Sequence, residues 1–197
     1  MTKKKLIVLT SGDGSNLQAI INQIENDQIN GSIEAVLSNK DSFSLVRAKK
    51  HQIPAIYLSH KNYASREIYD QALIDKISPF NPDLIILAGF MRILTPLFIQ
   101  AFKNKIINVH PSLLPKYKGL NTHKQALENN DQEHGTSIHL VNEELDAGMV
   151  IAQAKLAVKP NDTVSSLEQR IKVLEYQLYP EVIRKLCNGE LNIQDQK

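Results

Sequence analysis

Short apolar runs and helical apolar stripes alternate along most of the chain. Leu6 to Leu9 is an apolar run that ends at Ser11-Gly12, which predicts a strand entering a turn. Leu17, Ile20, Ile21 and Ile24 then recur at helical spacing. Ile33 to Leu37 and Ala55 to Leu58 predict two more strands, with a helix over Phe43 to His51 between them. Tyr63 to Ile77 predicts a helix ended by Pro79 and Pro82. Leu84 to Ala88 is continuously apolar, as a strand covered on both faces should be. Thr95-Pro96 opens another helix, with Thr95 as N-cap and Pro96 at the first helical position. Ile106 to Val109 is a fifth strand. Ser137 to Val141 and Val150 to Val158 alternate apolar with other residues and predict late, partly exposed antiparallel strands. Leu167, Ile171, Leu174, Leu178 and Val182 predict a long C-terminal helix that Pro180 should kink. The pattern is that of an α/β protein, a doubly wound, mostly parallel sheet with late antiparallel strands. Its ligands are expected at the carboxyl ends of the strands.

Neither a repeat nor a linker interrupts the 197 residues, so one domain over 1–197 is expected. A net charge of +2 argues against a dedicated nucleic-acid surface. Lys3, Lys4 and Lys5 precede an apolar run too short for a secretion signal. No stretch approaches the ~20 apolar residues of a membrane helix, so a cytoplasmic protein without a membrane partner is expected. The single cysteine, Cys187, excludes an intramolecular disulfide and a cysteine-based metal site. The histidines at 51, 60, 110, 123, 134 and 139 lack metal-ligand spacing. No metal is expected, and most of them are read as surface or turn residues.

Two segments carry candidate chemistry. Gly12-Asp13-Gly14-Ser15-Asn16 lies between the first strand and first helix, where glycines and free helix-start amides can cradle phosphate. Leu17 stands where the dinucleotide fingerprint needs its third glycine, and Gly-Lys-Ser/Thr is missing, so neither that motif nor a P-loop fits. Asp13 would repel phosphate and is expected to point to solvent. Asn108 and His110, two apart on a strand, project from one face at the sheet's carboxyl edge. That pair suits acyl transfer, in which an amide and an imidazolium donate to an oxyanion. It also suits a purely structural histidine. Asp146, in Leu145-Asp146-Ala147-Gly148, would raise the His110 pKa if folded beside it; by itself it also reads as a turn aspartate. A serine nucleophile elbow is missing.

Gly12 to Asn16, Ala88 to Leu94, Asn108-Val109-His110-Pro111-Ser112-Leu113-Leu114-Pro115, Glu133 to His139 and Leu145 to Gly148 resemble, in order and spacing, the folate-dependent phosphoribosylglycinamide formyltransferases. The likeness covers roughly residues 5 to 190. The Asn-x-His-Pro-Ser-Leu-Leu-Pro segment with a downstream aspartate is shared by 10-formyltetrahydrofolate enzymes in general. The Gly-Ser-Asn loop and short length narrow the likeness to the glycinamide ribonucleotide group.

The resemblance implies a Rossmann-like formyltransferase fold whose N-terminal part binds phosphate and whose C-terminal part completes a folate site. It implies 10-formyltetrahydrofolate as formyl donor and 5-phosphoribosylglycinamide as acceptor, in a monomer or weak homodimer. Asn108, His110 and Asp146 match the catalytic trio, with Ser137 behind them. Gly14, Ser15 and Asn16 match the phosphate loop. Lys172 and Glu175 match positions near the acceptor's amine and ribose. Met91, Arg92, Ile93 and Leu94 match one wall of the folate pocket; Asn142, Glu143, Glu144, Leu145 and Asp146 match the other. Asn108 also faces this pocket, and Arg66 matches a position at the folate tail, whose carboxylates suit a guanidinium. The rival readings are a formyltetrahydrofolate hydrolase, a methionyl-tRNA formyltransferase and a non-catalytic nucleotide- or folate-binding module. A hydrolase is expected to carry a regulatory domain before the first strand, which here starts at Leu6; 197 residues at a net charge of +2 leave no room for the tRNA enzyme's further domain and basic surface, and the intact trio argues against the third.

Overall fold

The computed structural model describes residues 2–193. Its elements are β1 (Lys4–Thr10), α1 (Ser15–Glu25), β2 (Gly31–Ser38), α2 (Phe43–Lys50), β3 (Ala55–Tyr57), α3 (Arg66–Ile77), β4 (Leu84–Leu87), α4 (Pro96–Ala101), β5 (Ile106–His110), α5 (Thr122–Glu128), β6 (Glu133–Leu140), β7 (Val150–Ala157) and α6 (Val164–Cys187). The strands form one sheet in the order β3-β2-β1-β4-β5-β6-β7. β1 to β5 pair in parallel. β6 runs antiparallel to β5, and β7 antiparallel to β6.

Strand periodicity decides which core each side chain enters. Leu6 and Val8 face the α1 and α6 side, against Leu17, Ile20, Tyr179 and Ile183. Ile7 and Leu9 face the α3 and α4 side, against Tyr69, Leu73, Ile77 and Phe98. That explains why β1 and β4 read as unbroken apolar runs: helices cover both faces. The Tyr179 hydroxyl sits 3.1 Å from the carbonyls of both Leu87 and Ile107, pinning α6 against the end of β4 and the first half of β5.

Several boundaries differ from the sequence pattern. α3 begins at Arg66, not Tyr63, because the Ser65 hydroxyl caps the Ile68 amide at 3.3 Å. Thr95 and Pro96 do open α4, but the Thr95 hydroxyl donates to Asp70 (2.7 Å) instead of capping the helix. β6 starts at Glu133, not Ser137, and is buried along nearly its whole length, not partly exposed. Its polar residues are satisfied by neighbouring strands and turns, so alternation of polarity does not report exposure there. β7 does alternate in exposure. The short helix α5 was not evident from the apolar pattern, since only Thr122 and Ala126 are buried in it. α6 continues through Pro180, whose ring is buried.

Candidate functional site

β1 lies between β2 and β4, so the chain leaves its carboxyl end at the point where the strand order reverses. Gly14 takes φ +78° there and caps α1. A Cβ at Gly14 would also stand 2.7 Å from Ser44 Cβ, so the loop can be this tight only with glycine. The Ser11 hydroxyl accepts from the Met91 amide (2.7 Å) and donates to Asn39 (2.6 Å), tying the loop after β1 to the loop after β4. The Asp13 side chain is mostly exposed, as expected, but it is not alone. Arg47 donates to its carboxylate at 3.1 Å and to its main-chain oxygen at 2.9 Å.

Asn16, in the first turn of α1, donates to Glu175 Oε2 at 2.8 Å, and its own side-chain oxygen is buried with no partner among the described residues. Burial pushes the Glu175 carboxyl up, partly offset by the Asn16 amide and the Lys172 charge. Lys172 itself pairs with Glu168 one turn earlier, at 2.7 Å.

At the other side of the crevice, strand register assembles the polar cluster. Antiparallel pairing sets Asn108 opposite His139 and His110 opposite Ser137. The Nδ1 of His139 lies 3.0 Å from the Leu140 carbonyl and so carries a proton; Nε2 then accepts from Asn108 Nδ2 at 3.1 Å in the neutral ring. One amide N–H of Asn108 is thus engaged and the other is left for the crevice. Asp146, at φ +47° and nearly buried, accepts from the Gly119 amide at 2.9 Å. It lies 3.3 Å from His110 Nδ1 and 3.5 Å from His139 Nε2. Gly148 makes this approach possible, since a Cβ there would meet the Leu140 carbonyl oxygen at 1.7 Å.

Burial pushes the Asp146 carboxyl up, but the Gly119 hydrogen bond and the adjacent His139 and His110 rings together hold it below the ordinary value. The expected upward shift of His110 is not found. Burial lowers it by more than the Tyr117 carbonyl and Asp146 raise it, so the imidazole lies below its ordinary value. Ser137 lies opposite His110 in the β5–β6 pairing. Its hydroxyl donates to the Ser112 carbonyl (2.6 Å) and accepts from the Leu114 amide (3.0 Å), which braces the turn after β5. That turn contains a cis Leu114-Pro115 bond.

A cavity of about 1070 Å³ opens beside this cluster. Met91, Arg92, Ile93 and Leu94 line one side, Asn142 to Asp146 the other, and Asn108 and His110 the floor. Arg66 stands outside the lining but donates to the Ile93 carbonyl, bracing that wall. Gly14, Ser15, Asn16, Lys172 and Glu175 do not line it; they form the adjoining cluster, which Glu168 joins to the cavity.

The reading of the histidines as surface or turn residues is corrected: His110, His134 and His139 are buried. His123 Nδ1 meets His134 Nε2 at 3.0 Å, and burial with the His123 charge pushes His134 down to about 4. His139 was missed as a site residue; its place two positions after Ser137 on a strand was the available signal. Among the described residues, no group of three or more His, Cys, Asp or Glu side chains could hold a metal ion. No helix among them is long and apolar enough to cross a membrane.

Comparison with known proteins agrees with this geometry. Residues 4–183 match the family model described as formyl transferase. Phosphoribosylglycinamide formyltransferase of Haemophilus influenzae is 48% identical over 193 residues, 98% of this chain and 91% of that protein. The Escherichia coli enzyme of the same name is 48% identical over 96% of this chain and 90% of its own. The crystal structure of glycinamide ribonucleotide transformylase 1 from Symbiobacterium toebii superposes with TM-score 0.95 at 37% identity, covering 98% of this chain and 92% of that one. With its sheet order, its Asn-His-Asp cluster and these relatives in agreement, the chain belongs to the formyl transferase family.

Proposed function

We propose that this chain transfers the formyl group of 10-formyltetrahydrofolate to the amine of 5-phosphoribosylglycinamide, a step of purine biosynthesis. The observation that carries this reading is the convergence of Asn108, His110 and Asp146 on the floor of one large cavity beside the Gly14 to Asn16 loop. The exposed Met91, Ile93 and Leu145 side chains offer apolar walls for a flat ring system. The loop amides at the start of α1 suit the acceptor's phosphate. Glu175, held by Asn16, suits the acceptor's amine and ribose hydroxyls.

In the proposed reaction the neutral amine attacks the formyl carbon and a C–N bond forms. The oxygen becomes an oxyanion that accepts from Asn108 Nδ2 and from protonated His110. Asp146 holds His110 and positions a water that carries the amine's proton to the folate nitrogen. Collapse of the intermediate breaks the bond to that nitrogen and releases tetrahydrofolate. Holding two ligands in register supplies much of the remaining rate, and no step is routed through a metal.

The test is a spectrophotometric assay with both substrates and with the folate alone. Tetrahydrofolate released only with the amine present supports the transferase. Release without it points to hydrolysis, and none in either, from folded protein, overturns the reading.

A further inference from the structure

His110 has a second polar neighbour besides Asp146. Its Nε2 lies 2.8 Å from the main-chain carbonyl of Tyr117. A carbonyl can only accept, so Nε2 carries a proton in the neutral and the charged ring alike. Nδ1 faces the Asp146 carboxylate at 3.3 Å. A carboxylate also only accepts, so the charged ring satisfies both contacts, while the neutral ring keeps the shorter one, to Tyr117, and gives up the proton on Nδ1.

Tyr117 does not reach this position for free. Its φ is +56°, a left-handed conformation that a residue with a Cβ resists. The side chain supplies the restraint. The phenol donates to Asp131 Oδ2 at 2.8 Å and accepts from Asn129 Nδ2 at 3.0 Å. The ring thereby ties the loop after β5 to the turn before β6. The Ser112 hydroxyl holds the preceding Lys116 carbonyl at 2.7 Å.

We propose that Tyr117 is a positioning residue for the formyl transfer: its carbonyl, anchored through the phenol on Asp131 and Asn129, selects the His110 nitrogen that works on substrate. This rests on the role proposed for His110. The charged and titratable groups around His110 are Asp146 from the loop before β7, His139 and His134 from β6, and His123 from α5. Asp146, at 3.3 Å from Nδ1, favours a proton there; the Tyr117 carbonyl, closer at 2.8 Å, favours the Nε2–H form against it.

The experiment is ¹⁵N NMR of the histidine rings, with kinetics across pH, on wild type, Tyr117→Phe and Lys116→Ala. The lysine variant removes the ion pair to the same Asp131 carboxylate while leaving the phenol bond. Wild type and Lys116→Ala should hold neutral His110 as the Nε2–H form. Tyr117→Phe should mix the two tautomers and lower kcat about tenfold, with KM for both substrates within about twofold. Its alkaline kcat limb should move to lower pH, because a carbonyl that favours the charged ring is loosened. If Tyr117→Phe fails to fold, Asn129→Ala removes the exposed half of the anchor and is read in the same way. A wild-type proton on Nδ1, or a variant that loses thermal stability while keeping tautomer and pH limb, overturns the proposal. The NMR result stands without turnover, so failure of the proposed function would be seen separately, as wild type inactive with both substrates.

Discussion

Replacing Asp146 with Asn is the sharpest perturbation of the site, because it removes one charge and almost no volume. The carboxylate lies 3.3 Å from His110 Nδ1 and accepts from Gly119 at 2.9 Å. An amide can keep the Gly119 bond through its oxygen, so the loop should survive. The charge interaction does not. With an effective dielectric of about 20, opposite charges at that separation attract by about 5 kcal/mol. Part of this is recovered as the cavity rehydrates. A barrier increase of about 4 kcal/mol, or roughly a thousandfold in kcat, is the expected result. KM should change by less than about threefold, since Asp146 holds the reacting centre and not the phosphate or folate tail. Tetrahydrofolate release followed spectrophotometrically gives both constants. Asp146 also counters the burial that lowers His110, so in the variant less of the ring is protonated at a given pH and residual activity should fade at lower pH than in wild type. A variant with kcat within threefold of wild type, and an unmoved pH profile, would refute this reasoning.

The other predictions concern binding and stability. Glu175→Ala should raise KM for phosphoribosylglycinamide at least about tenfold while changing kcat less, because it leaves Asn16 without its carboxylate partner; steady-state kinetics decide this. Gly14→Ala must accommodate φ +78° and a 2.7 Å approach to Ser44, and should cost about 1–3 kcal/mol in urea unfolding and weaken phosphate binding. Tyr179→Phe strips the buried hydroxyl from the Leu87 and Ile107 carbonyls and should cost about 1–3 kcal/mol, measured the same way.

His134 gives a pH dependence of known sign. Its folded pKa is about 4 against 6.5 for the ordinary value, so the unfolded chain binds the extra proton between those pH values. Stability is complete above about pH 6.5 and declines as pH falls towards 4, by about 2–3 kcal/mol for this group. His134→Gln should flatten that part of the curve. An identical decline from pH 7 to pH 5 in wild type and variant would exclude His134 as its source.

The local pattern determined much of this protein by itself. Apolar runs and helical stripes specify β1, β4, β5, α1 and α6, because burial on one or two faces writes a period of two or 3.6 directly into the chain. Gly14 and the Asn108–His110 spacing are local too, since a tight turn or a shared strand face needs only neighbouring residues. The apolar pattern did not carry the limits of α3, β6 and α5. Strand pairing and docking onto α6 settle the last two, through partners those segments do not contain; the α3 limit rests on Ser65, a cap inside the segment that apolar periodicity does not register. The site divides in the same way. That Asn108 and His110 point together is a property of one strand, whereas His139 joins them only through antiparallel register. Asp146 reaches them because Gly148 lets its loop close on Leu140, and Tyr117 because Asp131 and Asn129 hold its ring. The direction of the His110 shift was likewise a tertiary matter: Asp146 alone would raise its pKa, and only the folded chain buries the ring deeply enough to lower it.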